Sequence, residues 1–267
     1  MSSPIATAVI MAAGMGTRLN ERGKWHPKGF IKLGQRPIIE EAVALLAEVG
    51  IERIIIVTGH LAEFYERLRQ AHSNLIETVH NPQYAESGSM YSLYCARDLI
   101  DDDFLLLESD LTFERRALSA CLEFPRDNVV LMSGRTEAGD EVYIDSDDGL
   151  LRMMSKDRVQ LQTVAGELVG ICKISLPLFQ VMKQEAQREF QDTLRVSYDT
   201  DTLVAAASRY PIHCHLIQDL AWSEIDYEMH LQHARTKIYP KILAREQATG
   251  HTSTARTLGV PVFVREQ

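Results

Sequence analysis

No apolar run in the 267-residue chain reaches membrane-spanning length. The N-terminal one, Ala8 to Ala13, is too short for a signal-peptide core and no basic region precedes it. Positive charge is in deficit: 28 Lys and Arg face 37 Asp and Glu, a net charge of -9. That excludes the broad basic surface of a nucleic-acid binder. An anionic substrate must be held by a few local cations and backbone N–H groups, because the overall field repels it. Cysteine is scarce and scattered. Cys95, Cys121, Cys172 and Cys214 form neither a zinc spacing nor a disulfide framework, so they read as reduced, mostly buried thiols of a cytoplasmic protein. His26, His60, His80, His213 and His215 pair with no other ligand at metal spacing.

What is present is an ordinary globular composition, 45% hydrophobic and 24% charged. Apolar runs alternate with amphipathic stretches, which predicts a Rossmann-like α/β fold: a mixed, mostly parallel sheet flanked by helices. Strands are predicted at Ala8–Ala12, Arg53–Thr58, Leu75–Val79 and Phe104–Leu107. Helices are predicted at Pro37–Val49, between its proline start and the stop at Gly50, at Leu61–Ala71 and at Ser89–Asp98. From about 128 to 175 the strands shorten (Val129–Met132, Val142–Ile144, Leu150–Met154, Leu168–Ile174), which reads as a β-rich insertion over the mouth of the sheet. Helices at Pro177–Glu189 and Tyr198–Ser208, a strand at Ile212–His215 and a terminal helix at Tyr227–Ala244 follow. Residues 1–248 form one domain in this reading. The segment 249–267 is a tail, either loose or packed on a second subunit of a homo-oligomer.

Directly after the first strand stands Ala13-Gly14-Met15-Gly16-Thr17-Arg18. Glycines there open the backbone angles and remove the side chains that would block a phosphate chain from the N–H groups. The loop has no third glycine at Leu19, as a dinucleotide fold requires, and no Gly-Lys-Ser/Thr ending, as a P-loop requires. Alone it is equally a tight turn. The next segment, Lys24-Trp25-His26-Pro27-Lys28, adds cations that a triphosphate needs in an acidic protein, and Lys28 and Arg18 are the leading phosphate ligands. Lys32 reads as a surface charge.

Ala12 to Leu19 followed by Pro27-Lys28 resembles the signature of the nucleotidyltransferases that activate sugars, choline phosphate and phosphonates. Gly88-Ser89-Met90-x-Ser92-Leu93, Phe104 to Leu111, Gly139 to Tyr143, Ser155 to Arg158, Gly166 to Gly170 and Trp222-x-Glu224-Ile225-Asp226 are together similar to the 2-aminoethylphosphonate cytidylyltransferase family, and more distantly to the phosphocholine enzymes. The resemblance implies transfer of CMP from CTP to a small phosphonate, with Ala13, Gly14, Gly16, Thr17, Gly88 and Ser89 around the nucleotide. It assigns Mg²⁺ to Asp110 and Asp226, with Glu224 on the same strand face as Asp226; hard carboxylate oxygens suit that ion. Ser89 is also a candidate helix N-cap.

For the acceptor, Lys156 and Arg158 are candidates for the anionic end, and Asp140, Glu141 and Asp199 for an ammonium end. Glu167, beside a buried strand, joins the acceptor site because an unpaired carboxylate there is costly. Phosphocholine is the alternative acceptor. A non-catalytic nucleotide-binding regulator is the reading from another class.

Overall fold

The computed structural model describes residues 5–19 and 21–250. The readings for 251–267 lie outside the described residues. In chain order the first half contains β1 (Thr7–Ala12), α1 (Glu21–Trp25), α2 (Ile38–Glu48), β2 (Arg53–Thr58), α3 (Ala62–Ala71), β3 (Ile76–His80), α4 (Ser89–Cys95) and β4 (Phe104–Glu108). The second half contains β5 (Leu111–Phe113), α5 (Arg116–Glu123), β6 (Val129–Ser133), β7 (Tyr143–Asp147), β8 (Leu150–Ser155), β9 (Gly166–Ile174), α6 (Leu176–Glu189), α7 (Val204–Ala207), β10 (His213–Ile217), β11 (Trp222–Glu224), α8 (Glu228–His233) and α9 (Tyr239–Ala248).

The main sheet runs β3-β2-β1-β4-β9-β6-β10-β8-β7. β1 lies parallel between β2 and β4, and β9 enters antiparallel between β4 and β6. The runs Ala8–Ala12 and Ile54–Val57 are apolar throughout because helices cover both faces of the sheet. Alternation divides them between two cores. Ala8, Ile10 and Ala12 pack with α2, α3 and α5, whereas Val9 and Met11 pack with α4 and α6. α2 stops where Gly50 takes φ of 94°, and Ser175 caps α6 by accepting from the Leu178 N–H.

The β-rich segment predicted over 128–175 is present, and its strands β6, β7, β8 and β9 all belong to the main sheet, with the β7–β8 hairpin at its far end. β7 pairs with the end of β9 through Tyr143 and Glu167 while β8 touches β10, so five strands close into a ring. The predicted terminal helix is present and uninterrupted: α8 passes through a wider, π-helical stretch at Ala234–Ile238 into α9, where Pro240 has no N–H to give the ladder. The helix predicted from Tyr198 likewise begins with a π-helical stretch, Tyr198–Leu203, and continues directly into α7. The pairing of β5 with β11 in a two-stranded ribbon and the helix α5 appear in no sequence-based expectation, and the strand expected to carry both Glu224 and Asp226 ends at Glu224. The ribbon places Glu224 opposite Leu111, and the Ile225 N–H donates to the Asp110 carbonyl at 3.1 Å.

Candidate active site

The glycine loop, the lysine segment and the ends of β4 and β11 converge on one cavity of about 400 Å³ at the carboxyl end of the parallel strands. Ala13, Gly14, Arg18 and Lys28 line it, together with Gly88, Ser89, Asp110, Glu224 and Asp226. Gly16 and Thr17 are not among the lining residues. Gly16 instead makes the turn: its φ is +62°, and its carbonyl accepts from the Leu19 N–H at 3.1 Å. That turn directs Arg18 back over the cavity.

Lys28 sits in a single helical turn just after Pro27, and its ammonium donates to Asp110 Oδ2 at 2.7 Å and to Asp226 Oδ1. Arg18 donates from Nη1 to Asp226 Oδ2 at 2.6 Å and lies over the Tyr227 ring. Burial works against the Lys28 ammonium, but the charges of Asp110 and Asp226 outweigh it and hold its pKa well above the usual lysine value. For Asp226 burial acts upward, and Lys28 and then Arg18 prevail and keep the carboxyl below its ordinary range. Lys28 and Arg18 thus neutralise carboxylates of the same site.

A second group stands beside this cluster. Glu108, Asp110 and Glu224 each bring a carboxylate oxygen within 4.8 Å of the others. Burial, then the charges of Asp110 and Asp199, push Glu108 up to about 8. Burial, then Glu108 and Asp110, push Glu224 well above the carboxylate range. Three crowded carboxylates with hard oxygens fit a divalent cation such as Mg²⁺. Sequence reasoning named Asp110, Glu224 and Asp226. The structure groups the first two with Glu108 and turns Asp226 toward the two cations. The signal for Glu108 was available: in Glu108-Ser109-Asp110 the acids stand two residues apart, as strand neighbours on one face do.

The wall that would face a base is formed by the loop before α4. Asn81, fully buried, donates to the hydroxyls of Ser87 and Ser92 at 3.0 Å each and accepts from the Gln83 N–H. Gly88 packs against residues 194–196; a Cβ on it would lie 2.2 Å from the Val196 carbonyl oxygen. Ser89 does not cap α4 with its side chain; it accepts from the Tyr198 N–H at 3.0 Å. The Tyr198 hydroxyl in turn donates to Glu108 at 2.9 Å.

A neighbouring cavity of about 350 Å³ shares Glu108, Lys156 and Glu224 with the first. Asp140, Glu141 and Asp199 line this second cavity with them. Asp140 is raised by burial, opposed by His230 and reinforced by the adjoining Asp226 carboxylate. Glu167 is not among the lining residues. Its Oε2 accepts both the N–H and the hydroxyl of Thr136, at 2.8 and 2.6 Å, and so holds the strip of residues 134–138 that forms the rim. Arg158 lines neither cavity and lies over the Tyr143 ring. His230, absent from the sequence reasoning, is 5% exposed; its Nδ1 accepts from the Asp226 N–H at 3.3 Å, and its Nε2 lies 3.1 Å from the Ala138 carbonyl. It joins the rim of the second cavity to the backbone of Asp226 in the first.

The model of the family described as "MobA-like NTP transferase domain" matches residues 8–258. The chain belongs to that family. Among curated proteins, the chain is 34% identical over 157 residues to a CMP-5'-(3-aminopropyl)phosphonate synthase of Streptomyces rubellomurinus, covering 57% of the chain and 25% of the relative. It is 33% identical to a choline-phosphate cytidylyltransferase of Streptococcus pneumoniae, over 40% of the chain and 46% of the relative. Identity is also 33% to a 2-aminoethylphosphonate cytidylyltransferase of Lancefieldella rimae, over 56% of the chain and 60% of the relative. The chain thus spans between a quarter and three-fifths of these relatives. Among solved structures, the inositol-1-phosphate CTP transferase of T. maritima superposes with a TM-score of 0.77 at 17% identity, over 98% of this chain and all of that one. The CTP:phosphocholine cytidylyltransferase of Streptococcus pneumoniae superposes at 0.72 and 20% identity, over 86% and 98%. These likenesses establish the nucleotidyltransferase fold. Among the described residues no helix is long and apolar enough to cross a membrane.

Proposed function

We propose that the protein transfers CMP from CTP to 2-aminoethylphosphonate or a close aminophosphonate, releasing pyrophosphate. The observation that carries this reading is the shared wall. One cavity has phosphate-binding features, the next has carboxylates for an ammonium, and they meet at Glu108, Lys156 and Glu224. An acceptor in the second cavity would present its phosphonate oxygen to the α-phosphorus of a nucleotide in the first, the arrangement needed for in-line displacement.

The chain's own groups then have distinct tasks. Backbone N–H groups at Ala13 and Gly14 receive the phosphates. Arg18, whose side chain is 48% exposed, exchanges Asp226 for a phosphate oxygen, and Lys28 stays between Asp110 and the departing pyrophosphate. Glu108, Asp110 and Glu224 would hold Mg²⁺, which supplies charge neutralisation at phosphate oxygens. No general base is required, because a phosphate-type nucleophile has its second pKa near about 6 and is largely ionised at neutral pH.

The acceptor's amine is supported by the lining of its cavity. Asp140, Glu141 and Asp199 stand there, while Trp222 is the one Phe, Tyr or Trp among the described lining residues, too few for the aromatic cage of a quaternary ammonium. The similarity to the two phosphonate relatives supports the same choice. The cytidine base rests on the named relatives.

The test is pyrophosphate release by the purified protein with each nucleoside triphosphate against 2-aminoethylphosphonate, phosphocholine and inorganic phosphate. CTP with the aminophosphonate is expected to give the highest kcat/KM. Turnover confined to phosphocholine would replace the acceptor. Binding of CTP without turnover of any acceptor would favour a regulator instead.

A further inference from the structure

Two buried anchors hold the rim of the acceptor cavity, and one of them reaches into the nucleotide site. The rim runs through residues 134–140, and its backbone bends at Glu137, where φ is +61°, a left-handed conformation that a residue with a side chain rarely adopts. Such a bend persists where its surroundings hold it. Glu167 grips the residue before the bend, Thr136, and His230 grips the residue after it through the Ala138 carbonyl. The two anchors are 3% and 5% exposed.

The partners of His230 fix its protonation. A carbonyl only accepts and a backbone N–H only donates, so Nε2 carries a proton toward Ala138 and Nδ1 offers its lone pair to the Asp226 N–H. Asp140 Oδ1, on the same rim, lies 3.5 Å from Nε2. The Tyr227 ring meets the imidazole nearly at right angles, with centroids 5.2 Å apart. Asp226 and Tyr227 are also the two residues on which Arg18 rests, through the 2.6 Å ion pair and the guanidinium over the ring, and Lys28 donates to Asp226 as well. Phosphates that draw Arg18 away and fix Lys28 therefore act on the two residues that flank the imidazole.

We infer that His230 is a positioning residue that couples the two substrates: a nucleotide in the first cavity orders residues 134–140 around the acceptor in the second. This deepens the cytidylyl-transfer reading above and rests on it. The imidazole acts through Ala138 and Asp226 rather than on the reacting atoms. An acceptor that meets an already ordered rim loses less conformational entropy on binding, so it binds more tightly once the nucleotide is in place, and the effect is reciprocal.

The test is hydrogen exchange of the full chain in Mg²⁺, with and without α,β-methylene-CTP, whose methylene bridge prevents release of pyrophosphate. In the wild-type protein the analogue is expected to slow exchange at residues 134–140 about tenfold. His230→Asn puts an amide oxygen where Nδ1 stood, so it keeps the Asp226 bond and falls short of Ala138. This variant should bind the analogue as the wild type does, yet exchange rapidly at 134–140 in both states. Its KM for 2-aminoethylphosphonate should rise about tenfold with KM for CTP unchanged, a split that general destabilisation would not produce. His230→Gln puts an amide nitrogen near the place of Nε2, keeps the Ala138 bond and drops Asp226, so its rim should exchange at one rate whether or not the analogue is bound. Exchange at 134–140 that ignores the bound analogue in the wild type overturns the inference, as does nucleotide-dependent protection that survives in His230→Asn. If the variants fail to fold, the wild-type comparison decides alone. Failure of the parent reading looks different: CTP yields no pyrophosphate with any acceptor, whatever the rim does. An analogue that does not bind sinks both.

Discussion

Replacing Lys28 by Met tests whether the ligand-free site is held together by its own cations. The thioether chain is close in length to the lysine stem and preserves its packing, so the perturbation is the loss of one charge and its two hydrogen bonds. Asp110 and Asp226 side chains are 10% and 5% exposed, and removing a partner from a buried pair costs about 3–5 kcal/mol. Arg18 still pairs with Asp226, so Asp110 is the carboxylate left without compensation and the lower figure applies, about 3 kcal/mol. The dependence on pH has a definite sign. Asp226 has a folded pKa below its ordinary 3.8, so its contribution is present above that value and is lost as pH falls through the folded pKa. Urea unfolding followed by tryptophan fluorescence should show Lys28→Met about 3 kcal/mol less stable at neutral pH, with the deficit holding down to the ordinary carboxylate value of 3.8 and shrinking below it. Adding Asp110→Asn should restore most of it. A deficit below about 1 kcal/mol at neutral pH, or one that does not change with pH, would refute the reasoning.

Glu108→Gln should stabilise the metal-free protein. Its folded pKa is raised from 4.5 to about 8, so wild-type stability grows as pH falls between those values, and at pH 7 the variant should be ahead by about 3 kcal/mol, with no lead below about pH 4.5; urea unfolding in chelator across that range measures it. The same variant should lose most turnover, read as pyrophosphate release. Gly88→Ala, which drives a methyl group into the Val196 carbonyl, should cost about 3 kcal/mol and weaken nucleotide binding in a titration calorimeter; unchanged affinity would free that loop from the base site. Glu167→Gln loosens the Thr136 rim and should raise KM for the acceptor several-fold while leaving KM for CTP alone, so equal effects on both would place Glu167 in another role.

The sequence was most readable where physics is local. The buried runs Thr7–Ala12 and Arg53–Thr58 and the punctuation by Pro37 and Gly50 set the positions of β1, β2 and α2, because apolar periodicity and backbone limits act within a few residues. Pairing between distant segments was less readable. β5 and β11 are three residues each, and only their mutual contact makes them strands. Ser89 shows the same limit: local preference favours a helix cap, while residues 194–198, more than a hundred positions later, take its oxygen. Asp226 was legible as an important carboxylate, but its partners lie 198 and 208 residues away and could not be read from spacing. His230 carries no signal in a single sequence, being one histidine on a short helix.

The ring formed when β7 returns to β9 also governs how this molecule meets others. A sheet normally ends in two rows of unpaired N–H and C=O groups, each able to template a foreign strand. Here one end is consumed internally, which leaves β3 as the open margin of the main sheet among the described residues. That margin is short, five residues, and carries Glu77, ion-paired to Arg53, as its second residue. Charge on a short margin opposes strand addition, so the molecule can keep a rigid, many-stranded frame around two open cavities without becoming adhesive.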